Sequence, residues 1–228
     1  MQNNTLQIFN EKNLNVNRLD ISGMDITGYV DFSKFVNTIE LIIHSNLIKV
    51  IDGIQPNVKK LNCFKNKISQ LDNLNFGLEE LDCSANLIVQ LDNLPTTLIY
   101  LNCSRNDLVQ LDNLPIGLKV LNCSWTLVER LDNLPWNIVE LICSHTNLSQ
   151  LDYLPDGIKI LNANSNKKLQ NLINLPNSIE KIILNNELKI CPIPKKLKQI
   201  FCSNEVMELN KIKKFQYKHS NKNYKLIK

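Results

Sequence analysis

Five cysteines recur at a constant interval, and thiols are the side chains in this sequence best able to bind a metal or to form a covalent bond. They are Cys63, Cys83, Cys103, Cys123 and Cys143, each 20 residues from the next. A zinc site needs ligands that converge tetrahedrally, usually through Cys-x-x-Cys or histidine spacings. A constant interval instead sets the thiols in a row, about 4.8 Å apart on neighbouring strands. Because Ala163 and Leu184 continue the row, we interpret the cysteines as small buried core residues and predict no metal and no cofactor.

Six aspartates form a second row with the same interval. They are Asp52, Asp72, Asp92, Asp112, Asp132 and Asp152. Acid–base catalysis needs carboxylates in different environments, which equivalent positions do not provide. An aspartate just before a turn can accept hydrogen bonds from backbone N–H groups further along, and we predict this structural role. Occasional binding of a cation along the row is the alternative.

The three histidines are the remaining side chains that could take part in catalysis or bind a metal. His44, His145 and His219 belong to no serine, cysteine or metal constellation, and the chain has only six glycines and no phosphate-binding Gly-rich loop. We therefore predict no catalytic residues and no enzyme activity.

A repeat of 20 residues must position all of these rows. Leucines recur at 61, 81, 101, 121, 141 and 161, and again at 71, 91, 111, 131 and 151. Such a register is typical of a coil of equivalent turns. Leu101-Asn102-Cys103 alternates inward and outward, which predicts one short strand per turn and a parallel sheet along one face. The Leu111–Pro115 segment returns along the opposite face, where so short a turn leaves room only for extended or 3-10 structure.

The repeat resembles the leucine-rich-repeat family, and specifically its short bacterial-effector type. The resemblance rests on the pattern apolar-x-x-Leu-x-Cys-x-x-Asn-x-apolar-x-x-Leu-x-x-Leu-Pro and covers roughly residues 38 to 207. Cysteine- and asparagine-rich repeat proteins of giant viruses of amoebae are similar. The resemblance implies a curved, right-handed solenoid of mostly β structure, an α/β-type repeat fold with one parallel sheet, and a role in binding. We expect about eight to ten turns.

A row of asparagines also follows from this resemblance. Asn66, Asn86, Asn106 and Asn166 occupy a position that in the family turns inward where the strand ends and bonds to the backbone of adjacent turns. Thr126 and Thr146 stand at the same position. A hydroxyl replaces only part of what an amide offers, so we expect looser turns there.

The repeat degrades at both ends, as expected of a capped solenoid. We divide the chain into a cap and atypical first turn (1–37), the repeats (38–207) and a lysine-rich tail (208–228). Leu19-Asp20-Ile21 is the expected first strand, and Phe201-Cys202 the expected last one.

Composition suggests where the protein acts. The start lacks the basic and apolar segments of a secretory signal, and seven cysteines is an odd number. We therefore expect reduced thiols in an intracellular compartment, either the cytoplasm or the cytoplasm of a host cell. No apolar run is long enough to span a bilayer. The formal net charge of +4 does not demand a polyanionic partner.

Side chains that flank the inward strand positions face outward, where a partner would bind. The candidate contacts are Phe64, Tyr100, Asn102, Arg105, Asn122, Trp125, Ile142 and His145. Tyr100, Arg105 and Trp125 lead this group, since aromatic and arginine side chains dominate interface energies. The competing interpretation is that Trp125 merely covers Trp136 or packs on an adjacent turn.

The favoured function is therefore a non-enzymatic scaffold, a monomer that binds a protein through its sheet face. One alternative is attachment to nucleic acid or an anionic membrane through the tail, since residues 194–228 hold ten lysines against two glutamates. A second alternative is a structural protein whose sheet ends associate.

Overall fold

Short strands make up the regular structure of the computed structural model, which describes residues 15–72, 74–184, 189–192, 194–202 and 205–208. The strands are β1 (Arg18–Asp20), β2 (Thr27–Asp31), β3 (Glu40–Ile42), β4 (Leu47–Asp52), β5 (Lys60–Asn62), β6 (Glu80–Asp82), β7 (Tyr100–Asn102), β8 (Val120–Asn122), β9 (Glu140–Ile142), β10 (Ile160–Asn162), β11 (Asn171–Ile173), β12 (Lys181–Leu184), β13 (Lys189–Cys191), β14 (Gln199–Cys202) and β15 (Glu205–Glu208). Those ranges contain no helix, and hence none capable of crossing a membrane.

One sheet of eleven strands runs the length of the molecule, in the order β1-β3-β5-β6-β7-β8-β9-β10-β12-β14-β15. Every pair is parallel except β14 and β15, so ten parallel strands define about nine turns. The 20-residue repeat sets the register directly, since Leu81 pairs with Leu101 and Leu101 with Leu121. The predicted parallel-sheet solenoid is confirmed. The expectation that Phe201-Cys202 forms the last strand is wrong, because β15 turns back and pairs with β14 in the antiparallel sense. An antiparallel neighbour needs only a tight connection, so it can follow without another full turn.

The return side of the solenoid is extended and has little regular pairing. Two small parallel sheets form there, β2 with β4 and β11 with β13. The turns between them instead close through local bonds, such as that from the Leu118 amide to the Pro115 carbonyl at 3.0 Å. Proline fits this segment because it needs no backbone donor. The extended return segments were predicted, and no 3-10 turn occurs in the described part of the chain.

Asp52 fulfils the structural role predicted for the aspartate row, since its Oδ1 accepts a hydrogen bond from the Gly53 amide at 2.8 Å. Asp92 accepts from the Gln90 side chain instead, and Asp132 pairs with Arg130. The prediction of backbone bonding is wrong for these two, whose carboxylates lie exposed. In the Asp92 turn the left-handed backbone of Asn93 (φ 57°) forms the bend, so the aspartate side chain is not needed for it.

The cysteine row lies in the core, as predicted. All five thiols of the row are fully buried and form no disulfide. Ala163 and Leu184, which continue the row, are buried as well. The Cys103 thiol points to the Asn122 carbonyl of the next turn at 3.5 Å, a weak hydrogen bond. Burial raises the pKa of every one of these thiols, and that of Cys123 to about 12. A thiolate in this core would lose its hydration without gaining a partner, so the thiols stay protonated.

The asparagine row binds consecutive turns together, which confirms its structural role. The Nδ2 of Asn106 donates to the Cys103 carbonyl of its own turn at 2.9 Å and to the Cys83 carbonyl of the preceding turn at 3.0 Å. Its Oδ1 accepts from the Ile88 amide at 3.0 Å. Asn66 and Asn86 repeat the arrangement. Each amide therefore satisfies three buried backbone groups that no strand partner reaches.

Threonine breaks this row at two turns. The Thr126 hydroxyl donates to the Cys123 carbonyl at 2.7 Å, and the Thr146 hydroxyl lies within bonding distance of the Cys143 carbonyl and of Asn166 Oδ1. Neither reaches the preceding turn, so no protein acceptor within the described residues contacts the buried amides of Leu108 and Val128. An unpaired buried donor costs about 1–3 kcal/mol. The unpaired amides are a physical reason for the looser turns that we expect at these positions.

The substitution Thr126→Asn should stabilise the protein by about 1–2 kcal/mol, because the new Oδ1 would accept from the Leu108 amide. The reciprocal change, Asn106→Thr, should destabilise it by a similar amount or more, since Ile88 then loses its acceptor. Urea unfolding followed by circular dichroism measures both, with Asp107→Ala at the neighbouring exposed position as control. A Thr126→Asn protein less stable than the parent would contradict this account of the row.

Stability should fall steeply above about pH 9, because burial raises the thiol pKa values. Between the ordinary value of 9.0 and the folded value of about 12 for Cys123, the unfolded thiol loses its proton and the folded one keeps it. Stability is thus fully present below pH 9 and is lost as the pH rises, by about 1.4 kcal/mol per pH unit for one thiol. The Cys123→Ala variant should show a slope shallower by that amount, measured as the free energy of unfolding at pH 8, 9 and 10. Equal slopes would show that this thiol is not the titrating group.

Candidate functional site

The residue three positions after β5, β7, β8 and β9 adopts a left-handed backbone. Lys65, Arg105, Trp125 and His145 have φ between 55° and 58°. Their amides bond to the next turn, for example Arg105 to the Ser124 carbonyl at 2.8 Å and Trp125 to the Ser144 carbonyl at 2.9 Å. The backbone therefore stays in register here, and the side chains leave the solenoid one above another. A left-handed conformation costs an L-residue about 1–2 kcal/mol, and it is unusual for one as bulky as tryptophan.

Arg105, Trp125 and His145 form a stack along this line. The rings of Trp125 and His145 lie 3.8 Å apart at their centroids and are nearly parallel, with an interplanar angle of 14°. The Arg105 guanidinium carbon lies 5.0 Å from the centroid of the Trp125 ring, within range of a cation–π interaction. Arg105 comes from the preceding turn and His145 from the following one, so the indole is held between its two neighbours. The interpretation that Trp125 packs on adjacent turns is correct, although the packing partners are two other site candidates.

The stack presents hydrogen-bond donors at its edges. Trp125 is 49% exposed, so its ring edge remains accessible while its faces are occupied. Within the described residues the Arg105 side chain forms no ion pair, and its contact with the face of the Trp125 ring does not use its N–H groups as hydrogen-bond donors to an acceptor atom. The indole N–H adds a further donor. This edge suits a partner that brings acceptors, above all carboxylates.

The outward side chains beside the stack form a half-buried polar surface. Tyr100 lies between Glu80 and Val120 in the register of the sheet. Burial raises the pKa of its hydroxyl, and the negative charges of Asp82, Glu140 and Glu80 raise it further. The hydroxyl therefore stays protonated at neutral pH and can donate a hydrogen bond.

The two asparagine candidates are already engaged within the sheet. Asn102 Nδ2 donates to Asp82 Oδ2 at 3.1 Å, and its Oδ1 accepts from the Ser104 hydroxyl at 2.8 Å. Asn122 Oδ1 accepts from the Ser124 amide at 3.1 Å. Their remaining bonding capacity is small, so they provide a fixed polar floor for a partner and not a strong anchor.

The other two candidates lie apart from this group in different ways. Ile142 pairs with Asn122 in the register and adds apolar area beside the stack. Phe64 lies two turns before Arg105 and packs beside His44, with ring centroids 6.4 Å apart. The structure thus brings Arg105, Trp125 and His145 together and places Tyr100, Asn102, Asn122 and Ile142 on the strands that precede them, while Phe64 is separate. Contact of these eight residues with a partner stays a prediction.

Sequence reasoning missed two features of this surface. The left-handed row was not predicted, because no glycine marks the position. The second is a row of exposed apolar residues, Phe76, Ile116 and Trp136, at the turn before each strand. Their shared position in the repeat was a usable indication, since Thr96 and Asp156 stand there in other turns.

Solved structures of bacterial leucine-rich-repeat proteins are similar to this chain. YopM from Yersinia enterocolitica shares 26% sequence identity with a TM-score of 0.61, over 74% of this chain and 42% of its own. The leucine-rich-repeat domain of a Shigella effector shares 21% with a TM-score of 0.57, over 83% of this chain and 76% of its own. The functional domain of InlJ from Listeria monocytogenes, which includes a cysteine ladder, shares 21% with a TM-score of 0.54, over 82% and 53%.

These matches show that the fold of this chain is a solenoid similar to those of bacterial leucine-rich-repeat proteins. This chain spans less than two thirds of the matched YopM and InlJ chains. No protein-family model and no curated protein sequence matches it. The similarity to repeat proteins of giant viruses stays a prediction.

Replacement of Trp125 by asparagine should change the stability by less than about 1 kcal/mol. The substitution loses ring stacking and the cation–π interaction, together about 1–2.5 kcal/mol, but asparagine tolerates the left-handed backbone and recovers a similar strain energy. Trp125→Leu loses the stack and keeps the strain, so it should be less stable than Trp125→Asn by about 1 kcal/mol or more. Urea unfolding followed by circular dichroism compares the two; equal stabilities would mean that the backbone is unstrained.

Proposed function

We propose that the chain is a scaffold that binds a protein partner, with the Arg105–Trp125–His145 stack and the adjoining outward surface of the sheet as the contact site. The fold supports this, since the similar structures are leucine-rich-repeat proteins of effector type. The stack is the observation that carries the proposal. Three side chains with donor groups are held in one line at the end of the strands, with a strained tryptophan at the centre. Backbone strain persists where the surroundings impose it, and it is concentrated at functional positions.

The chemistry of the stack indicates what the partner presents. Arg105 and Trp125 offer N–H donors in fixed positions, while Ile142 and the rim of the indole offer apolar area. A segment that combines carboxylates with apolar side chains would satisfy both. Because stacking already orders Arg105, little side-chain entropy remains to be lost when it binds a carboxylate.

The cysteine row supports a proposal about the compartment. Five buried thiols stand in line without forming a disulfide, and protonated thiols of this kind persist in a reducing environment. We infer that the protein works inside a cell, in the cytoplasm or in the cytoplasm of a host cell.

The lysine-rich tail remains a second candidate, although residues 209–228 lie outside the described structure. Its binding would be electrostatic and would weaken steeply with salt, so it can be separated from the sheet-face site by experiment.

Affinity capture from a cell lysate at moderate salt tests the proposal with the full chain. The double variant Tyr100→Ala/Trp125→Ala should capture at least about tenfold less partner than the parent, because two anchors are removed from one surface. Trp136→Ala, which changes the only other tryptophan, serves as control and should retain capture if partner binding occurs at the stack. Trp125→Asn separates binding from stability, since it should fold normally and still lose the partner.

A truncation after Met207 completes the set. Loss of capture only with the truncation would place the function on the tail and contradict the sheet-face proposal. Retention by the double variant would show that the stack is not the anchor.

A further inference from the structure

The outward face of the sheet carries charge of one sign between β6 and β10. The charged residues at the outward positions of these strands are Glu80, Asp82 and Glu140, and none of the positions holds a lysine or an arginine. Lys60 on the neighbouring strand β5 pairs with Glu80 at 2.8 Å. Asp82 and Glu140 are half-buried and form no ion pair within the described residues. The face therefore offers two carboxylates to a cationic segment.

Uncharged side chains separate the acidic positions of β9 and β6. Val120 and Tyr100 lie between Glu140 and Glu80 in the register of the sheet, at the first position of consecutive strands. Burial, and then the negative charges of Asp82, Glu140 and Glu80, raise the pKa of the Tyr100 hydroxyl, so carboxylates on both sides of the ring act on it. Across the strands the face thus presents an acid, an apolar side chain, an aromatic ring and an acid.

Basic side chains border the face at both edges. Lys119 and Lys159 directly precede β8 and β10, and Arg105 follows the end of β7. A cationic segment of chain is attracted to the face and repelled by either edge. The attraction is therefore confined to a band that crosses the strands from β9 to β6.

The chain leaves β15 level with the acidic position of β9. Glu208, the last residue of β15, pairs with Gln199 of β14, and the register continues through β12 and β10 to Glu140. Four strand spacings separate β15 from β9, about 19 Å. About six extended residues cover that distance, and about ten reach β6. Residues 209–228 follow β15, so their number is sufficient for both.

The sequence after β15 matches the face in charge and in spacing. Residues 209–228 contain seven lysines and no aspartate or glutamate. Lys214 is the sixth residue after Glu208, and Lys218 is the tenth. An extended chain covers about 13 Å in the four residues between these lysines, and β9 and β6 are about 14 Å apart. Phe215 and Tyr217 stand between the two lysines, as an apolar and an aromatic side chain stand between the two acids.

We propose that the segment 213–218 of the lysine-rich tail lies across the outward face of the sheet, over β9 to β6 of its own chain. Lys214 pairs with Glu140, and Lys218 pairs with Asp82, since Glu80 already has a partner in Lys60. Phe215 and Tyr217 pack over the uncharged middle of the face. Opposite charges then meet in register along the whole contact.

The tether favours this segment over the tail of a second copy. A segment joined to its binding surface by a short chain has an effective concentration in the millimolar range. Each exposed ion pair contributes little by itself. Two such pairs with two aromatic side chains therefore form a populated contact within one chain and a weak one between chains at micromolar concentration.

The covered band includes Tyr100, which belongs to the proposed partner site. The tail would then compete with the partner, a consequence that rests on the proposed function, and truncation after Met207 should increase capture. The intramolecular contact can be measured on the protein alone. Failure of the proposed function would leave that measurement unchanged, so the two failures are distinguishable.

Zero-length cross-linking of the full chain with a carbodiimide tests the contact, because the reagent joins a lysine amine to a carboxylate only where the two meet. The reaction is carried out at micromolar protein concentration, and the joined peptides are identified by mass spectrometry. We expect Lys213 or Lys214 joined to Glu140, and Lys218 joined to Asp82, in a product with the mass of one chain.

Two carboxylates of the same chain serve as controls. Glu80 should be joined to Lys60, which shows that the reagent reaches the face. Asp112 lies exposed on the return side without an ion pair in the described structure, and it should not be joined to the tail. Coupling of the tail to Asp112 as often as to Glu140, or no coupling to the face at all, would overturn the proposal. Coupling only in products of two chains would overturn it in favour of a second copy's tail.

Tryptic cleavage tests the charges that hold the segment. The variant Asp82→Asn/Glu140→Gln should be cleaved after Lys214 and Lys218 at least about threefold faster than the parent, because cleavage follows the population of the undocked segment. Asp92→Asn/Asp112→Asn makes the same change of net charge on the return side and should be cleaved like the parent. Added sodium chloride should speed cleavage of the parent and have little effect on the face variant. Equal rates for the two variants would contradict the docking.

Discussion

In most of the described turns an asparagine side chain forms the hydrogen bonds with which the chain bends away from its strand, and the rest of the structure depends on these bonds. A strand of three residues satisfies few backbone groups, and the bend that follows it is buried. Asn106 satisfies carbonyls of two turns and the amide of Ile88 with one side chain. Buried backbone groups must be paired, so the amide stabilises the bend, and the turns of Thr126 and Thr146 keep the same bend with fewer of these bonds.

The position of the Arg105–Trp125–His145 stack follows from that constraint. The residue before each asparagine takes a left-handed backbone, which turns its side chain outward while its amide still bonds to the next turn. Every turn repeats the arrangement, so side chains at this position are spaced like the strands. That spacing, about 4.8 Å, suits stacking of planar groups. Arg105, Trp125 and His145 are planar, and they stack because the solenoid places them in line.

Much of the fold could be predicted from the sequence, because a repeat multiplies each weak indication. One Cys103 or one Leu101 says little, while six equivalents in register fix the strand, its inward side and its pairing. Features that do not repeat were harder to predict. Strand β15 reverses direction outside the register, and Asp92 and Asp132 bond to side chains and not to the backbone.

The residues of the stack were named from the sequence, but their arrangement was not predicted. Arg105, Trp125 and His145 were all named as candidates, but their common left-handed backbone has no glycine to reveal it. The exposed apolar residues at the turns were missed because they lie close to core residues of the same kind. Ile116 and Trp136 are two residues away from Leu118 and Ile138, which are buried, and only the polar residues at the same repeat position in other turns, Thr96 and Asp156, distinguish them.

The two turns that lack the asparagine amide are the turns that carry the rings of the stack. Thr126 follows Trp125, and Thr146 follows His145. The solenoid is therefore bonded less completely where its most unusual side chains lie, and the stack itself supplies contact between the same turns from the outside. Stacking and cation–π attraction, each about 0.5–1.5 kcal/mol, partly offset an unpaired buried amide. A binding surface tolerates such an exchange, because regions that adjust to a partner are drawn from the less stable parts of a fold. Contact with a partner would then stabilise the turns that the threonines loosen. The proposed binding site therefore coincides with the turns that have the fewest hydrogen bonds between them.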